Sequence, residues 1–593
     1  MKKIHFKVLM PAFLTAIVTI AACSKSFLDK PPIGTLNPAV LASEAGVQGL
    51  LIGAYSLVDG EGTPNDGFAT GASNWMFGGI ASDDAYKGSD PSDVADGIGI
   101  ENWSITPVNG TVDSKWKVMY SGVQRCNDVL RTLAITKGLT DVMVKTVTGE
   151  AKFLRSYYNL ELKKVFKNVI FADESVVVGN LDVSNSTDIW PKIEADLTEA
   201  VAKLPEGQPQ VGRANVWAAK ALLAKVYMFQ NKFAAAYTLL KDIDANGKTP
   251  GGTKYALKAH FYSNFNPAEK NNSEQIFAAQ TSVKDGSSVA WGGSPNGNYG
   301  DILNFPYNGG PGGCCGFYNP SQDLANAYKT DAAGLPLLDT WYNGAWVSDQ
   351  AAPAYTGTLD PRIDLTMGRK GIPYLDWGPH RGDDWIRNPG ADGHFSPKKN
   401  VFAISQRDAY TDAGSAYWAP TQLTANNVNI IRFSDVLLWA AESAAEAGDL
   451  TAAVGYVNRI RARAADTTGW VYKNSDYDAA TATYKTQTQT NKADNYSLAL
   501  YPSFPSKDYA VKAIRFERRL ELAMEGNRFF DLVRYGVADV VLNAYNTREK
   551  EARKYRVNSV FTKGKSEYFP IPQGEIDNLN ADGKVRLVQN PGY

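Results

Sequence analysis

Apolar residues recur every three to four positions in several stretches of this chain, the spacing of amphipathic helices. Residues 40–57 form one such stretch. Residues 114–133 form another, with Trp116, Tyr120, Val123, Asn127 and Leu130 along one face. Residues 142–166 predict a long third helix, and 187–204 a fourth with Ser186 or Thr187 available as its cap. A helical hairpin follows, 215–229 and 233–243, joined by Gln230, Asn231 and Lys232. A second covers 434–447 and 450–464, joined at Gly448 and Asp449. Shifted by 217 positions the two hairpins align without a gap. Ala224 falls on Ala441, Phe233 on Leu450, Ala236 on Ala453, Leu240 on Val457 and Ile243 on Ile460. Small residues on one helix facing large ones on its partner is how tetratricopeptide-type helix pairs pack. Residues 514–534 predict one more strong helix. The fold class is therefore mainly α.

Between the hairpins the pattern changes. Residues 248–428 are rich in Gly, Pro, Asn and aromatics and show little periodicity. An irregular segment of that length is functional or disordered, and its aromatic content argues for order. Residues 473–495 are rich in Thr and polar side chains and read as an exposed insertion. The tail after Phe569 is punctuated by Pro.

The N-terminus bears on compartment. Lys2, Lys3 and Lys7 precede an apolar run, 8–20, that is too short to span a bilayer. Ile20-Ala21-Ala22-Cys23 follows. A basic start, an apolar middle and small residues before a cut describe a secretory signal peptide, and Cys23 at the cut fits a bacterial lipobox. Residues 1–22 then read as signal peptide, 23–38 as a polar, Pro-rich tether, and Cys23 as a lipidated membrane anchor. Beyond Cys23 no apolar run is long enough for a transmembrane helix. Loss of three Lys takes the net charge from −1 to about −4. No basic patch points to nucleic acid. Cys126 reads as a buried small apolar residue. Cys314 and Cys315 are adjacent, and across a trans peptide their Cα atoms would stand about 3.8 Å apart, short of the usual disulfide range.

Glu517, Glu521 and Glu525 share a helix face, with Arg515, Arg518, Arg519 and Arg528 near enough to pair with them. Flanking arginines hold acids ionised, which suits an ion-pair lattice and not a poised general acid. Asp83 and Asp84 sit in a loop where acids bind a cation or sugar hydroxyls. Asp90, Asp93 and Asp96 lack EF-hand spacing. No zinc, phosphate-loop, nucleophile-elbow or dinucleotide motif is present, so no metal, cofactor or catalytic residue is assigned. The aromatics carry more. Sugar rings present a flat apolar face and a rim of hydroxyls, and a site for them combines flat rings with short polar side chains. The candidate ligand-binding residues are Trp75, Asp83, Asp84, Trp103, Trp291, Tyr299 and Trp341.

Several further segments carry a family likeness along nearly the whole mature chain. Phe27-Leu28-Asp29-Lys30-Pro31-Pro32 follows the lipobox. Trp116-x-x-x-Tyr120 leads to Cys126-Asn127, and Gly149-Glu150-Ala151-Lys152-Phe153-Leu154-Arg155 lies on the third helix. Gly212-Arg213-Ala214, Asp360-Pro361-Arg362 and the 432–438 segment Arg-Phe-Ser-Asp-Val-Leu-Leu come next. The Glu517–Gly526 run, Arg528-Phe529-Phe530-Asp531-Leu532, Phe569-Pro570-Ile571-Pro572 and the terminal Gln589-Asn590-Pro591-Gly592-Tyr593 complete the series. In this order they resemble the SusD/RagB family of outer-membrane nutrient-binding lipoproteins of Bacteroidota. The resemblance implies a SusD-like fold: an N-terminal helical region over 39–260, then a region over 261–593 in which helical repeats scaffold a loop-rich ligand-binding part. It also implies a SusC-like TonB-dependent transporter as partner and a glycan as ligand. Capture of peptides by the same architecture is the alternative, and a surface enzyme the third. The matched motifs are scaffold motifs, so the resemblance transfers no ligand residue.

Overall fold

The structure is a computed structural model that describes residues 40–60, 67–177, 182–287, 294–347, 354–412, 423–474 and 476–593. Cys23, the tether and Trp291 lie outside these residues. Local signals set the helix starts. Ser43 caps α1 (Glu44–Tyr55) by accepting from the Gly46 N–H. Asn109 and Thr140 cap the long helices α2 (Gly110–Ile135) and α3 (Asp141–Phe166) in the same way. The fourth predicted helix is shorter than its pattern. α4 (Trp190–Lys203) starts after Ile189, with Pro191, whose fixed φ suits the first turn, as its second residue, and not at Ser186 or Thr187.

The two hairpins keep their offset. α5 (Val216–Phe229) and α6 (Phe233–Asn246) have counterparts in α7 (Phe433–Glu446) and α8 (Leu450–Ala465), each starting 217 positions later. The aligned pairs Ala224 and Ala441, Ala236 and Ala453, and Ile243 and Ile460 are all fully buried. Each helix from α2 to α8 packs on the next, α6 directly against α7. The helices therefore form one continuous row although the irregular region separates α6 from α7 in sequence. α9 (Lys507–Leu522) closes the row against α7 and α8 over a core of Ala441, Ala444, Ala453, Val457, Ala510 and Ala513.

The predicted helix over 514–534 is broken. α9 ends at Leu522, and α10 (Arg528–Arg534) starts after a turn in which Met524 and Gly526 have φ of 63° and 66°. A Cβ on Gly526 would stand 1.9 Å from the Ser73 carbonyl oxygen, so the backbones meet where only glycine fits. α11 (Ala538–Glu549) follows.

The irregular half is knitted by short antiparallel pairs. β1 (Ala85–Gly88) pairs with β3 (Phe317–Pro320), and β2 (Gln275–Ala279) with β4 (Val428–Arg432), the strand that runs into α7. The chain end clamps the helical frame: the Asn590 side chain donates to the Phe166 and Phe569 carbonyls at 2.7 and 2.8 Å. The 473–495 segment is less exposed than its composition predicts. Tyr477 and Tyr484 pack edge to face at 5.2 Å, and Tyr477 also meets Tyr262. Cys314 and Cys315 form a disulfide across a cis peptide bond with Cα atoms 3.0 Å apart. The sequence left open whether the two are bonded, and the spacing considered there was that of a trans peptide. Cys126 is fully buried, as read.

Candidate functional site

A cleft of about 600 Å³ opens where α1, α2 and β2 meet the irregular half, within the roughly 300–1,000 Å³ range of small-ligand sites. Phe277, itself buried, lies beneath it and packs edge-on against Phe153 of α3 at 4.8 Å. The C-terminal end of α1 supplies Tyr55, Asp59 and Gly60. Arg125 comes from α2, Gln210 and Arg213 from the turn before α5, Gln280 from the end of β2, and Asn296 from the irregular half.

The wall is cross-braced. The Tyr55 hydroxyl donates to Glu150 at 2.7 Å and accepts from the Ala214 N–H at 2.9 Å. Arg213 donates to both Glu150 oxygens at 3.2 and 3.3 Å and to Gln48 at 2.9 Å. One Arg125 terminal nitrogen donates to the Gly53 carbonyl at 2.7 Å and the Ser56 hydroxyl at 2.9 Å, which satisfies an end carbonyl of α1. Burial pushes Asp59 up from 3.8 to about 7, because desolvation penalises the charged form and no cation counters it. Amides and a phenol thus line one concave surface, a set of groups that hydrogen-bonds hydroxyls.

The sequence-predicted residues do not gather here. Trp75 is fully buried in a π-helical turn (Trp75–Ile80). Its indole donates to the Gly300 carbonyl at 3.0 Å, and its ring meets Phe317 and Tyr318. Trp103 is buried against Phe561 and donates to the Ala81 carbonyl at 3.0 Å. Tyr299 is buried as well. Asp83 and Asp84 are buried ion-pair partners. Arg528 grips Asp83 with two nitrogens at 2.7 and 2.9 Å, and Arg519 reaches Asp84 at 2.9 Å. Burial alone would raise Asp83, but Arg519 and Arg528 outweigh it and hold the carboxyl low. A side chain without exposed area offers no face to a ligand, so burial corrects the ligand-facing reading of these five. Trp341 is half-exposed, edge-on to Tyr342 and Phe516, and shares no lining residue with the cleft. The sequence reading missed Tyr55, Asp59, Arg125, Gln280 and Asn296. Asp59-Gly60 at a predicted helix end is the one local signal among them.

The 517–525 carboxylates stand as the lattice predicted, with different partners. Glu517 and Glu521 meet Arg362, Arg461, Arg432 and Arg463 from distant segments. Arg515, Arg518, Arg519 and Arg528 reach Glu442, Asp435, Asp84 and Asp83 instead. Neighbouring positions on a helix face different directions, so close spacing in sequence did not make them partners.

Comparison with known proteins places the chain. The SusD family profile matches residues 273–593, and the profile described as "Starch-binding associating with outer membrane" matches 26–228. This chain belongs to the SusD family. A SusD-like protein of Formosa agariphila is 23% identical over 95% of each chain. One of Bacteroides ovatus is 28% identical over 38% of this chain and 40% of its own. Among solved structures, a laminarin-binding SusD-like protein superposes with a TM-score of 0.64 at 23% identity, covering 93% of this chain and all of the other. Surface glycan-binding protein A of Bacteroides thetaiotaomicron, in complex with laminarihexaose, gives 0.65 at 22%, covering 92% and 99%. These similarities establish the shared fold.

Proposed function

We propose that the protein is a cell-surface lipoprotein of the outer membrane that captures a glycan in the α1–α2–β2 cleft and passes it to a SusC-like TonB-dependent transporter. The observation that carries the binding reading is the cleft itself: an amide-lined concavity built on the helical row of a SusD-family chain. Rigid frames that present loops commonly hold ligand chemistry there. Two solved proteins of the same fold bind laminarin or laminarihexaose, which supports a saccharide ligand. The lipobox at Cys23 supports anchoring. The cleft's acids and bases are braced or buried singly, which supports binding without turnover.

The purified mature protein, tested by calorimetry and affinity electrophoresis against polysaccharides and a peptide pool, checks this. A polysaccharide should bind, and the Gln280→Ala, Asn296→Ala double variant should lose about tenfold in affinity, the size of roughly two neutral hydrogen bonds. Binding of peptides alone would move the reading to peptide capture, and release of shortened products would make it an enzyme.

A further inference from the structure

We infer that the loop over residues 339–346 carries a second saccharide contact, built on Tyr342 and separate from the cleft; the inference rests on the glycan reading above. Among the described residues only two aromatic side chains stand exposed, Tyr342 and Tyr555. The Tyr555 hydroxyl is committed to Glu101. The Tyr342 hydroxyl engages no described residue, yet its ring is fixed. The Arg548 guanidinium of α11 lies 4.8 Å over the ring, and Trp341 meets it edge-on at 4.9 Å. Arg548 is held in turn. Its Nε donates to Asp323 at 2.8 Å, and a terminal nitrogen donates to the same oxygen. Asp323 is buried, and the Trp341 indole reaches it at 3.4 Å.

The backbone of the loop is fixed by the same buried segment. Asn326 accepts from the Val347 N–H at 3.0 Å, and Gln322 donates to the Val347 carbonyl at 3.3 Å. Lys329 donates to the Asn343 and Ala345 carbonyls at 3.2 and 2.6 Å. It is buried, no carboxylate pairs with it among the described residues, and burial lowers its pKa to about 8. An ammonium buried without a counterion costs stability. Stability is given up here to hold an exposed turn in one shape, which a turn without function does not require. The turn presents the Tyr342 ring, with exposed Asn343 and Gly344 following it. A fixed ring with a phenol and an amide at its rim matches a sugar ring, whose flat C–H face stacks and whose hydroxyls hydrogen-bond. One exposed ring falls far short of the roughly 800 Å² per partner that a stable protein interface buries. Because the tyrosine is already immobilised, binding carries little further ordering cost.

The test is affinity electrophoresis and calorimetry of the mature protein against laminarin, soluble starch, xylan and pectic galactan, with a peptide pool alongside. For the polysaccharide that binds, Tyr342→Ala should weaken affinity about tenfold, by analogy with the loss of a stacked ring. Tyr342→Phe keeps the ring and loses one neutral hydrogen bond, so it should weaken affinity by only about threefold. Thermal melting confirms that both variants are folded; the side chain is exposed, and its removal leaves no core cavity. Polysaccharide affinity that Tyr342→Ala leaves unmoved, with the cleft variant still impaired, overturns this inference and leaves glycan capture standing. A Tyr342→Phe loss as large as that of Tyr342→Ala overturns stacking on the ring. A Tyr342→Ala loss confined to the peptide pool overturns the saccharide assignment of the loop and gives it to a protein contact. Failure of every polysaccharide to bind wild type overturns glycan capture itself, and this contact with it.

Discussion

At Glu521, burial and charge act in opposite directions. Desolvation alone would raise its pKa, yet Arg463, Arg432 and Arg362 outweigh burial and hold the carboxyl well below its usual range. Glu521→Gln leaves three arginines sharing one fewer anion inside the core. Removing one partner of a buried pair costs roughly 3–5 kcal/mol, so chemical denaturation should show a loss of that order while cleft affinity at native temperature is retained. A stably folded variant without binding would give Glu521 a ligand role. Asp59 has the opposite sign. Its folded pKa of about 7 stands above the ordinary 3.8, so between those values the unfolded chain has released a proton that the folded one still holds. Stability from this group is present below pH 4 and is lost as pH rises through 7. Asp59→Asn removes that dependence. Relative to wild type, the variant's urea midpoint should rise between pH 5 and pH 8, and a pH-independent difference would mean that Asp59 is ordinarily solvated.

At the scale of elements, sequence periodicity located the helices because each buries one stripe, and it found the hairpin duplication because Ala224, Ala236 and their counterparts face helices at close range. It could not find the break after Leu522. The apolar pattern runs on through 523–534, and the cause is a contact from 450 residues away: Gly526 lies against the Ser73 carbonyl, and a Cβ on Gly78 would meet the Gly526 carbonyl oxygen at 1.8 Å. The site was illegible for a related reason. Composition marks an aromatic as flat and apolar but not as inside or outside, and Trp75 and Trp103 found buried carbonyls for their indoles. The cleft residues come from separate segments that only the fold brings together. Gly526→Ala should cost about 2–5 kcal/mol, combining a left-handed backbone penalty of roughly 1–2 with overpacking of roughly 1–3. Gly455 on α8 makes a control: nothing lies within 4 Å of its missing Cβ, and Gly455→Ala should gain about 0.5–1 kcal/mol. Equal effects at the two positions, by urea denaturation, would refute the close-approach argument.

At the scale of the whole molecule, a continuous row of helices carries an irregular half, and the cleft lies at their junction. For such a body to work at a membrane it must be held there. Among the described residues no helix is long and apolar enough to cross a bilayer. The signal-like segment ends at Cys23, and the polar stretch 24–38 separates that residue from the first described helix. Each acyl CH₂ buried in the bilayer contributes about 0.8 kcal/mol, and more than one chain is needed for stable anchoring. A multiply acylated Cys23 would therefore hold the protein permanently. Cys23→Ala should leave folding and saccharide affinity unchanged, since the lipobox reading gives the residue a role in anchoring alone, and should move the protein to the soluble fraction. The measurement is fractionation in cells that lack any partner transporter, with wild type recovered only by detergent. Persistence of the Cys23→Ala protein in the outer-membrane fraction there would place the attachment in the folded body and not in a lipid.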